Sequence, residues 1–176
     1  MKTFNLIISM LFLLLTSSFQ IGSTLQTQQT ELQTGEYFIV NVATNDALTP
    51  VDVGVNSNTR LNDFKKSGMQ KWTIKKNVVK NKKRTSVFYT IQNTASGYYL
   101  RPCHVPNNGS AIISTKDAMC SYSIKVDNKN FIIKNNKMGG DAMYVKKDGY
   151  QNNEPWFAND DGNENFRWKI VSTTGN

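Results

Sequence analysis

The densest run of chemically active side chains in this sequence is a cluster of cations between residues 75 and 84. Six of these ten residues are basic: Lys75, Lys76, Lys80, Lys82, Lys83 and Arg84. Concentrated positive charge attracts anions, so the cluster is suited to acidic glycans and to phosphates. A charge run is more often a solvated loop without a ligand, and the sequence favours that interpretation. No nucleic-acid-binding module accompanies the cluster, so we predict no nucleic-acid partner.

A second group with reactive chemistry is the cysteine pair, Cys103 and Cys120. In an oxidising compartment an even, closely spaced pair indicates one disulfide, which would add about 3 kcal/mol in the chain-entropy model. Two buried thiols are the alternative. Asn108 begins an Asn-Gly-Ser sequence between the two cysteines, and this acceptor in a turn-rich segment predicts N-glycosylation.

The residues that usually build metal or catalytic centres are sparse. His104 is the single histidine, and without a neighbouring cysteine pair or second histidine it predicts no zinc site. Residues 159–164 are rich in side-chain oxygens, but their spacing does not fit an EF-hand loop, so we interpret them as a hairpin turn. No Gly-x-Ser-x-Gly elbow is present. We therefore predict no metal, no cofactor and no enzymatic activity.

The N-terminus has the layout of a secretory signal peptide. Lys2 supplies a positive start, residues 6–15 are an unbroken apolar run, and small or polar residues follow. The run is too short to span a membrane, which takes about 20 residues. We predict a signal peptide over 1–24, a leader over 25–34 and one folded domain over 35–176, secreted or held in the lumen of the secretory pathway without a membrane span. The net charge of +8 fits either an acidic partner or simple solubility.

Three copies of one strand pattern organise the rest of the chain. An aromatic-x-Ile-x-Asn pattern opens each unit, at Tyr37–Asn41, Tyr89–Asn93 and Phe131–Asn135. An x-x-aromatic-x-Ile pattern closes each unit, at Gln70–Ile74, Cys120–Ile124 and Phe166–Ile170. The opening and closing aromatic residues are 35, 33 and 37 positions apart, a regularity that indicates internal repeats.

These repeats predict an all-β fold. Alternation places the aromatic ring and the isoleucine of each opening strand on one face. A unit of about 40–50 residues cannot bury that face alone, whereas three units around an axis share one core. We predict units over 35–79, 85–127 and 128–171. An ordinary β-sandwich is the alternative, since sandwiches also have regularly spaced short strands.

The two patterns resemble those of ricin-B-type lectins, which are β-trefoils with an I-x-N opening and a Q-x-W close in each repeat. Ile39-Val40-Asn41 pairs with Gln70-Lys71-Trp72, and residues 91–100 look like the family's opening hairpin. Tyr122 replaces the closing tryptophan in the second unit, and Cys120 and Phe166 replace the closing glutamine in the second and third. The resemblance covers residues 35–171. It implies a β-trefoil, glycans or glycoproteins as partners, and a disulfide within a repeat of the kind Cys103 and Cys120 would form.

The resemblance also implies one sugar site, in the third unit. Trp156 lies 12 residues before Trp168, where the family has its stacking ring, and Asn165 lies three before it, at the amide position. Asp141 lies 15 residues before Trp156, a spacing that suits the family's aspartate. Such a site stacks a ring on the sugar and hydrogen-bonds its hydroxyls through the carboxylate and the amide. A packed loop anchor is the alternative role for Trp156.

The position of the sugar-binding aspartate depends on how the residues are counted. From Ile133 the family's spacing leads to Met143, or to Lys146 after an insertion, rather than to Asp141. In the first two units the aspartate position falls on Thr49 and Arg101, and the ring position on Arg60 and Ser110. We therefore expect at most one site of the family's type.

The resulting prediction is a secreted, non-catalytic carbohydrate-binding protein. Two alternatives stay open because trefoils also serve other functions. One is a protease inhibitor that presents a basic residue of segment 80–84 to a trypsin-like enzyme. The other is a growth-factor-like or effector trefoil that binds acidic glycans through the basic loop.

Overall fold

The computed structural model describes residues 31–103, 109–114, 120–137, 139–146 and 153–174. The predicted signal peptide, most of the predicted leader and the acceptor Asn108 lie outside them. In the described ranges the chain forms twelve strands and no α-helix. The strands are β1 (Gly35–Asn41), β2 (Ala47–Pro50), β3 (Thr59–Asn62), β4 (Lys71–Lys80), β5 (Thr85–Asn93), β6 (Tyr99–Pro102), β7 (Ala111–Ser114), β8 (Tyr122–Asp127), β9 (Asn130–Asn135), β10 (Ala142–Lys146), β11 (Glu154–Ala158) and β12 (Trp168–Ser172). Two 3-10 turns, Gly68–Gln70 and Glu164–Phe166, precede β4 and β12.

Six of the strands close into a barrel. β1 pairs with β4 and β12, β5 pairs with β4 and β8, and β9 pairs with β8 and β12, all antiparallel. The ring β1-β4-β5-β8-β9-β12 therefore has no free edge. The remaining strands form three hairpins, β2–β3, β6–β7 and β10–β11. Each unit of the chain contributes two barrel strands and one hairpin, which makes the fold a β-trefoil.

The closing aromatic residues tie each hairpin to the barrel in the same way. The indole N–H of Trp72 donates to the Leu48 carbonyl at 3.0 Å, and that of Trp168 to the Met143 carbonyl at 2.8 Å. In the second unit the hydroxyl of Tyr122 donates to the Leu100 carbonyl at 2.8 Å. All three rings are fully buried. Tyr122 therefore replaces tryptophan without loss of the bond, because a phenol also carries one donor at the end of a large apolar ring.

The asparagines at the ends of the first two opening strands each join two units. Asn41 donates through its side-chain amide to the carbonyl of Asn165, and Asn93 does the same to Met69, each at 2.9 Å. Both asparagines are fully buried. A buried amide is favourable where it satisfies backbone groups that would otherwise lack partners. The position that corresponds in sequence to Met69 and Asn165 is residue 119, which lies outside the described ranges.

The opening isoleucines Ile39, Ile91 and Ile133 are fully buried in one core, as the period-two alternation predicts. The opening aromatic residues differ from one another. The leader residues 31–34 cover the first two, since the hydroxyl of Tyr37 donates to the Gln33 carbonyl and that of Tyr89 to the Leu32 carbonyl. Phe131 has no hydroxyl for such a contact and is half-buried.

The structure does not contain the predicted disulfide, because Cys103 and Cys120 are not bridged to each other. A disulfide requires a narrow range of separations and orientations. The β6–β7 ladder sets the position of Cys103, whose amide donates to the Ser110 carbonyl at 2.8 Å. Cys120 is instead buried in the core as a small apolar side chain. The short separation of the two cysteines in sequence therefore does not lead to a disulfide bond in this structure.

Candidate functional site

Two pockets occupy equivalent places in the first and third units. Each lies between the outer hairpin of its unit and the 3-10 turn that precedes the closing strand. In the first unit the cavity is about 610 Å³, and in the third it is about 480 Å³. The third is lined by Tyr144, Val145, Ala158, Asn159, Asp161, Asn163, Asn165 and Phe166.

The hairpin β10–β11 supplies the outer face beside the third-unit pocket. Its register pairs Tyr144 with Trp156 and Lys146 with Glu154. These four side chains are half-buried, while the alternating residues, such as Val145 and Phe157, are buried. Strand alternation therefore sends one set into the core and presents Tyr144 and Trp156 side by side on the outer face.

Trp156, the predicted stacking residue, has polar surroundings on this face. The ammonium of Lys146 lies 4.8 Å from the centre of its ring, a cation–π contact. The indole N–H is enclosed and has no hydrogen-bond partner among the described residues. A buried donor without a partner is costly unless water or a ligand satisfies it. The ring is thus half-buried, with one cation beside it and with its N–H enclosed.

The position equivalent to the family's aspartate holds Tyr144. Trp168 bonds to Met143 as Trp72 bonds to Leu48, so Tyr144 corresponds to Thr49. The turn before it is one residue longer than in the first two units, so the count from Ile133 gives Met143 when this residue is left out, and Lys146 would need three extra residues.

A ring pair in the third unit replaces a hydrogen bond of the first. Gln70 donates to the hydroxyl of Thr49 at 3.3 Å, and its amide oxygen accepts from the backbone of the loop before it. At the equivalent places Phe166 stacks on Tyr144 with ring centres 4.8 Å apart and planes 15° apart. Phe166 therefore takes over the loop-anchoring role of the closing glutamine through packing.

Of the two predicted hydrogen-bonding residues, Asn165 lines the third-unit pocket and Asp141 does not. The backbone carbonyl of Asp141 accepts from the Asn135 amide at 2.8 Å, in the turn before β10, and Asp141 is not among the residues that line the pocket. Asn165 does line the pocket, in the last 3-10 turn. Its side-chain oxygen is enclosed and lacks a partner within the described ranges.

The sequence did not single out the polar residues of segment 159–163 as sugar ligands. The carboxylate of Asp161 lines the pocket and accepts from the side-chain amide of Asn163 at 2.7 Å. The side-chain oxygen of Asn163 in turn accepts from the backbone N–H of Asn165 at 2.8 Å, which fixes the 3-10 turn. The one sequence feature that pointed to these residues was the high content of side-chain oxygens in residues 159–164. No group of three or more possible metal ligands occurs among the described residues.

Next to the pocket, Arg167 holds two acidic residues in place. Its guanidinium is paired with Asp160 at 2.9 Å and with Asp127 at the end of β8. Burial acts to raise the pKa of Asp160, but the hydrogen bonds and positive charge of Arg167 outweigh it, so that pKa is held below its usual range. The carboxylate of Asp160 is thus engaged in the ion pair with Arg167, whereas Asp161 lines the pocket.

The basic cluster lies elsewhere, on the hairpin β4–β5 and its turn. Lys76 is paired with Glu31 at 2.7 Å. The other five cations are exposed. Segment 80–84 closes as a tight turn in which the Asn81 side chain accepts from the amides of Lys83 and Arg84. The predicted protease-inhibiting loop is therefore a compact turn here, and inhibition stays a prediction.

The comparisons with known proteins support the fold and give no information about the site. No protein-family model and no curated protein sequence matches the chain. The fold is similar to that of the Rhizoctonia solani agglutinin, with a TM-score of 0.65 and 20% identity over 81% of this chain and 97% of that chain. It is also similar to the designed threefold-symmetric protein ThreeFoil, with a TM-score of 0.63 and 14% identity over 78% of this chain and 99% of that chain.

A third similar structure is the Polyporus squamosus lectin, bound to a human-type influenza-binding epitope. Its TM-score is 0.62, with 18% identity over 80% of this chain and 50% of that chain. At such identities the likeness establishes the β-trefoil fold alone. Among the described residues no helix is long and apolar enough to cross a membrane.

Proposed function

We propose that this protein is a secreted, non-catalytic lectin of the ricin-B type that binds a glycan on the outer face of its third unit. The observation that carries the proposal is the pairing of Trp156 with Tyr144 across β10–β11, because Tyr144 lines a pocket together with Asp161 and Asn165, although Trp156 itself is not among the lining residues. The similar folds of an agglutinin and a lectin support it at the level of architecture. Secretion rests on the N-terminal sequence over residues 1–24.

The roles follow from the chemistry of a pyranose, which has an apolar face and a rim of hydroxyls. The ring of Trp156 would stack on the apolar face, where the flexible Lys146 side chain now lies. Asn165 would both donate and accept through its amide. Asp161 would accept hydrogen bonds that its charge strengthens. Asp141 is the alternative acceptor that the family resemblance implies, although the pocket lining contains Asp161 instead.

The proposed lack of catalysis rests on the acidic groups of the pocket. Glycoside hydrolysis ordinarily uses two carboxylates on either side of the scissile bond. Among the residues that line the third-unit pocket, Asp161 is the one carboxylate. Asp160 is engaged by Arg167 and has a lowered pKa, which is the wrong direction for a general acid.

The test is a glycan-array screen of the secreted protein at physiological salt, with heparin as competitor. The proposal predicts binding to neutral glycans that survives heparin. Trp156→Ala should weaken that binding by about tenfold or more, because the stacking surface is lost. Tyr99→Ala removes a half-buried ring from the hairpin of another unit and should leave binding unchanged.

Other array results would overturn the proposal. Full glycan affinity in the Trp156→Ala variant would show that the assignment of the glycan site to the third unit is wrong. Binding only to sulfated glycans that salt abolishes would place glycan recognition on the basic cluster, as in the growth-factor-like alternative. Silence on the array together with inhibition of a serine or cysteine protease would favour the inhibitor alternative.

A further inference from the structure

The hairpin β4–β5 extends beyond the barrel. Its strands are paired over nine residue pairs, from Trp72 with Asn93 to Lys80 with Thr85. The neighbouring strands stop earlier, since β1 pairs with β4 no further than Ile74 and β8 pairs with β5 only at Tyr89. Residues 77–80 and 85–88 thus form a ribbon with no third strand from the described part of the chain. At about 3.3 Å per residue this ribbon projects roughly 13 Å, before the turn is counted.

The projecting ribbon and its turn are strongly positive. Lys75, Lys80, Lys82, Lys83 and Arg84 are exposed and have no ion pair among the described residues. The sequence contains no Asp or Glu between Asp63 and Asp117. The turn is also ordered, because the Asn81 side chain accepts from two of its amides. The charge is therefore presented on a defined structure, and no acidic residue of the described ranges is paired with these five cations.

The same ribbon exposes apolar side chains. Val78 and Val87 face each other across the two strands and are 49% and 38% exposed, and Val79 on the opposite face is 51% exposed. A two-stranded ribbon with valines in water gains little stability from them. An acidic glycan or a nucleic acid would use the cations but leave the valines in water. A surface that combines fixed negative charge with an apolar layer beneath it would use both.

We propose that this hairpin docks on the surface of an anionic phospholipid bilayer. The valines would reach the boundary of the acyl chains, and the long lysine and arginine side chains would extend to the headgroup phosphates and carboxylates. The hairpin belongs to the junction of the first and second units, away from the third-unit pocket. The protein would then hold a membrane and a glycan at separate places, and neither function requires the other.

Sedimentation of the protein, produced from the full chain, with phosphatidylcholine vesicles that contain or lack phosphatidylserine tests the proposal. We expect partition onto the phosphatidylserine vesicles alone. Lys82→Gln, Lys83→Gln and Arg84→Gln together should lower the partition coefficient about 100-fold, because each cation near an anionic surface contributes roughly a factor of five. Val78→Ser with Val87→Ser should lower it about tenfold.

Matched controls separate this surface from general charge and from the glycan site. Lys125→Gln, Lys129→Gln and Lys137→Gln remove the same charge from other exposed positions and should change partition less than threefold, roughly the long-range share of the attraction. Trp156→Ala should partition as the wild type does, whatever its effect on glycans. No binding to phosphatidylserine vesicles, equal binding to both vesicles, or full binding by the basic variant would overturn the proposal. Full binding by the valine variant, with retention on heparin, would also overturn it and assign the hairpin to acidic glycans.

Discussion

Replacement of Tyr122 by phenylalanine removes one hydroxyl from the barrel and leaves the ring in place. Tyr122 is fully buried, and its hydroxyl donates to the Leu100 carbonyl at 2.8 Å. Phenylalanine fills the same volume, so no cavity term enters. The loss of a bond that leaves a buried carbonyl partly unsatisfied costs 1–3 kcal/mol, and we expect about 2 kcal/mol.

Urea unfolding followed by tryptophan fluorescence measures this cost. With a slope of about 2 kcal/mol per molar for a domain of this size, the midpoint should fall by about 1 M while the slope is unchanged. Tyr98→Phe is the matched control, because Tyr98 is half-buried and its hydroxyl has no hydrogen bond within the described ranges. That variant should stay within about 0.5 kcal/mol of the wild type. A Tyr122→Phe midpoint equal to that of the wild type would refute the view that this bond ties the second hairpin to the barrel.

The same variant has a distinctive alkaline behaviour. Burial raises the pKa of Tyr122 well above its usual value. The folded state therefore keeps the proton to higher pH than the unfolded chain does. The contribution of the protonated hydroxyl to the free energy of unfolding is complete below the unfolded pKa of about 10, and it is lost as pH rises through the folded pKa. The stability gap between wild type and Tyr122→Phe should therefore narrow above pH 10. A gap that stays constant would contradict the pKa argument.

Two further predictions concern charge and cysteine chemistry. Asp160→Asn should lower the free energy of unfolding by about 2 kcal/mol at pH 7, because Arg167 loses a mostly buried partner. Since the folded pKa of Asp160 is lowered, that contribution is present above its unfolded pKa of about 4 and disappears as pH falls through the folded value, so thermal unfolding at low pH should show no difference. Thiol titration of the unfolded, unreduced protein should find both Cys103 and Cys120, and a reducing agent should leave the melting temperature unchanged. A titration that finds no thiol would restore the disulfide.

The repeat was predictable because its physics is local to each strand. Period-two alternation marks which residues face the core, and the spacing of opening and closing aromatic residues marks the units. The substitution of Tyr122 for tryptophan did not hide the pattern, because both side chains combine a large ring with one donor. These features predicted an all-β fold of three units, and the resemblance of the opening and closing motifs to those of ricin-B-type lectins implied the β-trefoil.

The candidate site was less predictable because it depends on insertions and on contacts between distant residues. One extra residue in the turn before β10 moves Tyr144, rather than Met143, to the aspartate-equivalent place. The stacking of Phe166 on Tyr144, with a glutamine and a threonine at the equivalent places in the first unit, is a paired change that no single position reveals. Asp161 lies in a segment whose composition fits any polar turn. The disulfide was predicted from sequence spacing, and spacing does not determine how the two cysteine side chains are oriented.

The central claim is that a glycan stacks on Trp156, and protection of tryptophan fluorescence from iodide quenching tests it most directly. Trp72 and Trp168 are fully buried, while Trp156 is half-buried on the outer face, so quenching by iodide reports on Trp156. A neutral glycan that binds on the array should protect this fluorescence in a saturable way, and Trp156→Phe should remove both the quenching and the protection. Glycan binding that leaves iodide quenching of Trp156 unchanged would contradict the claim.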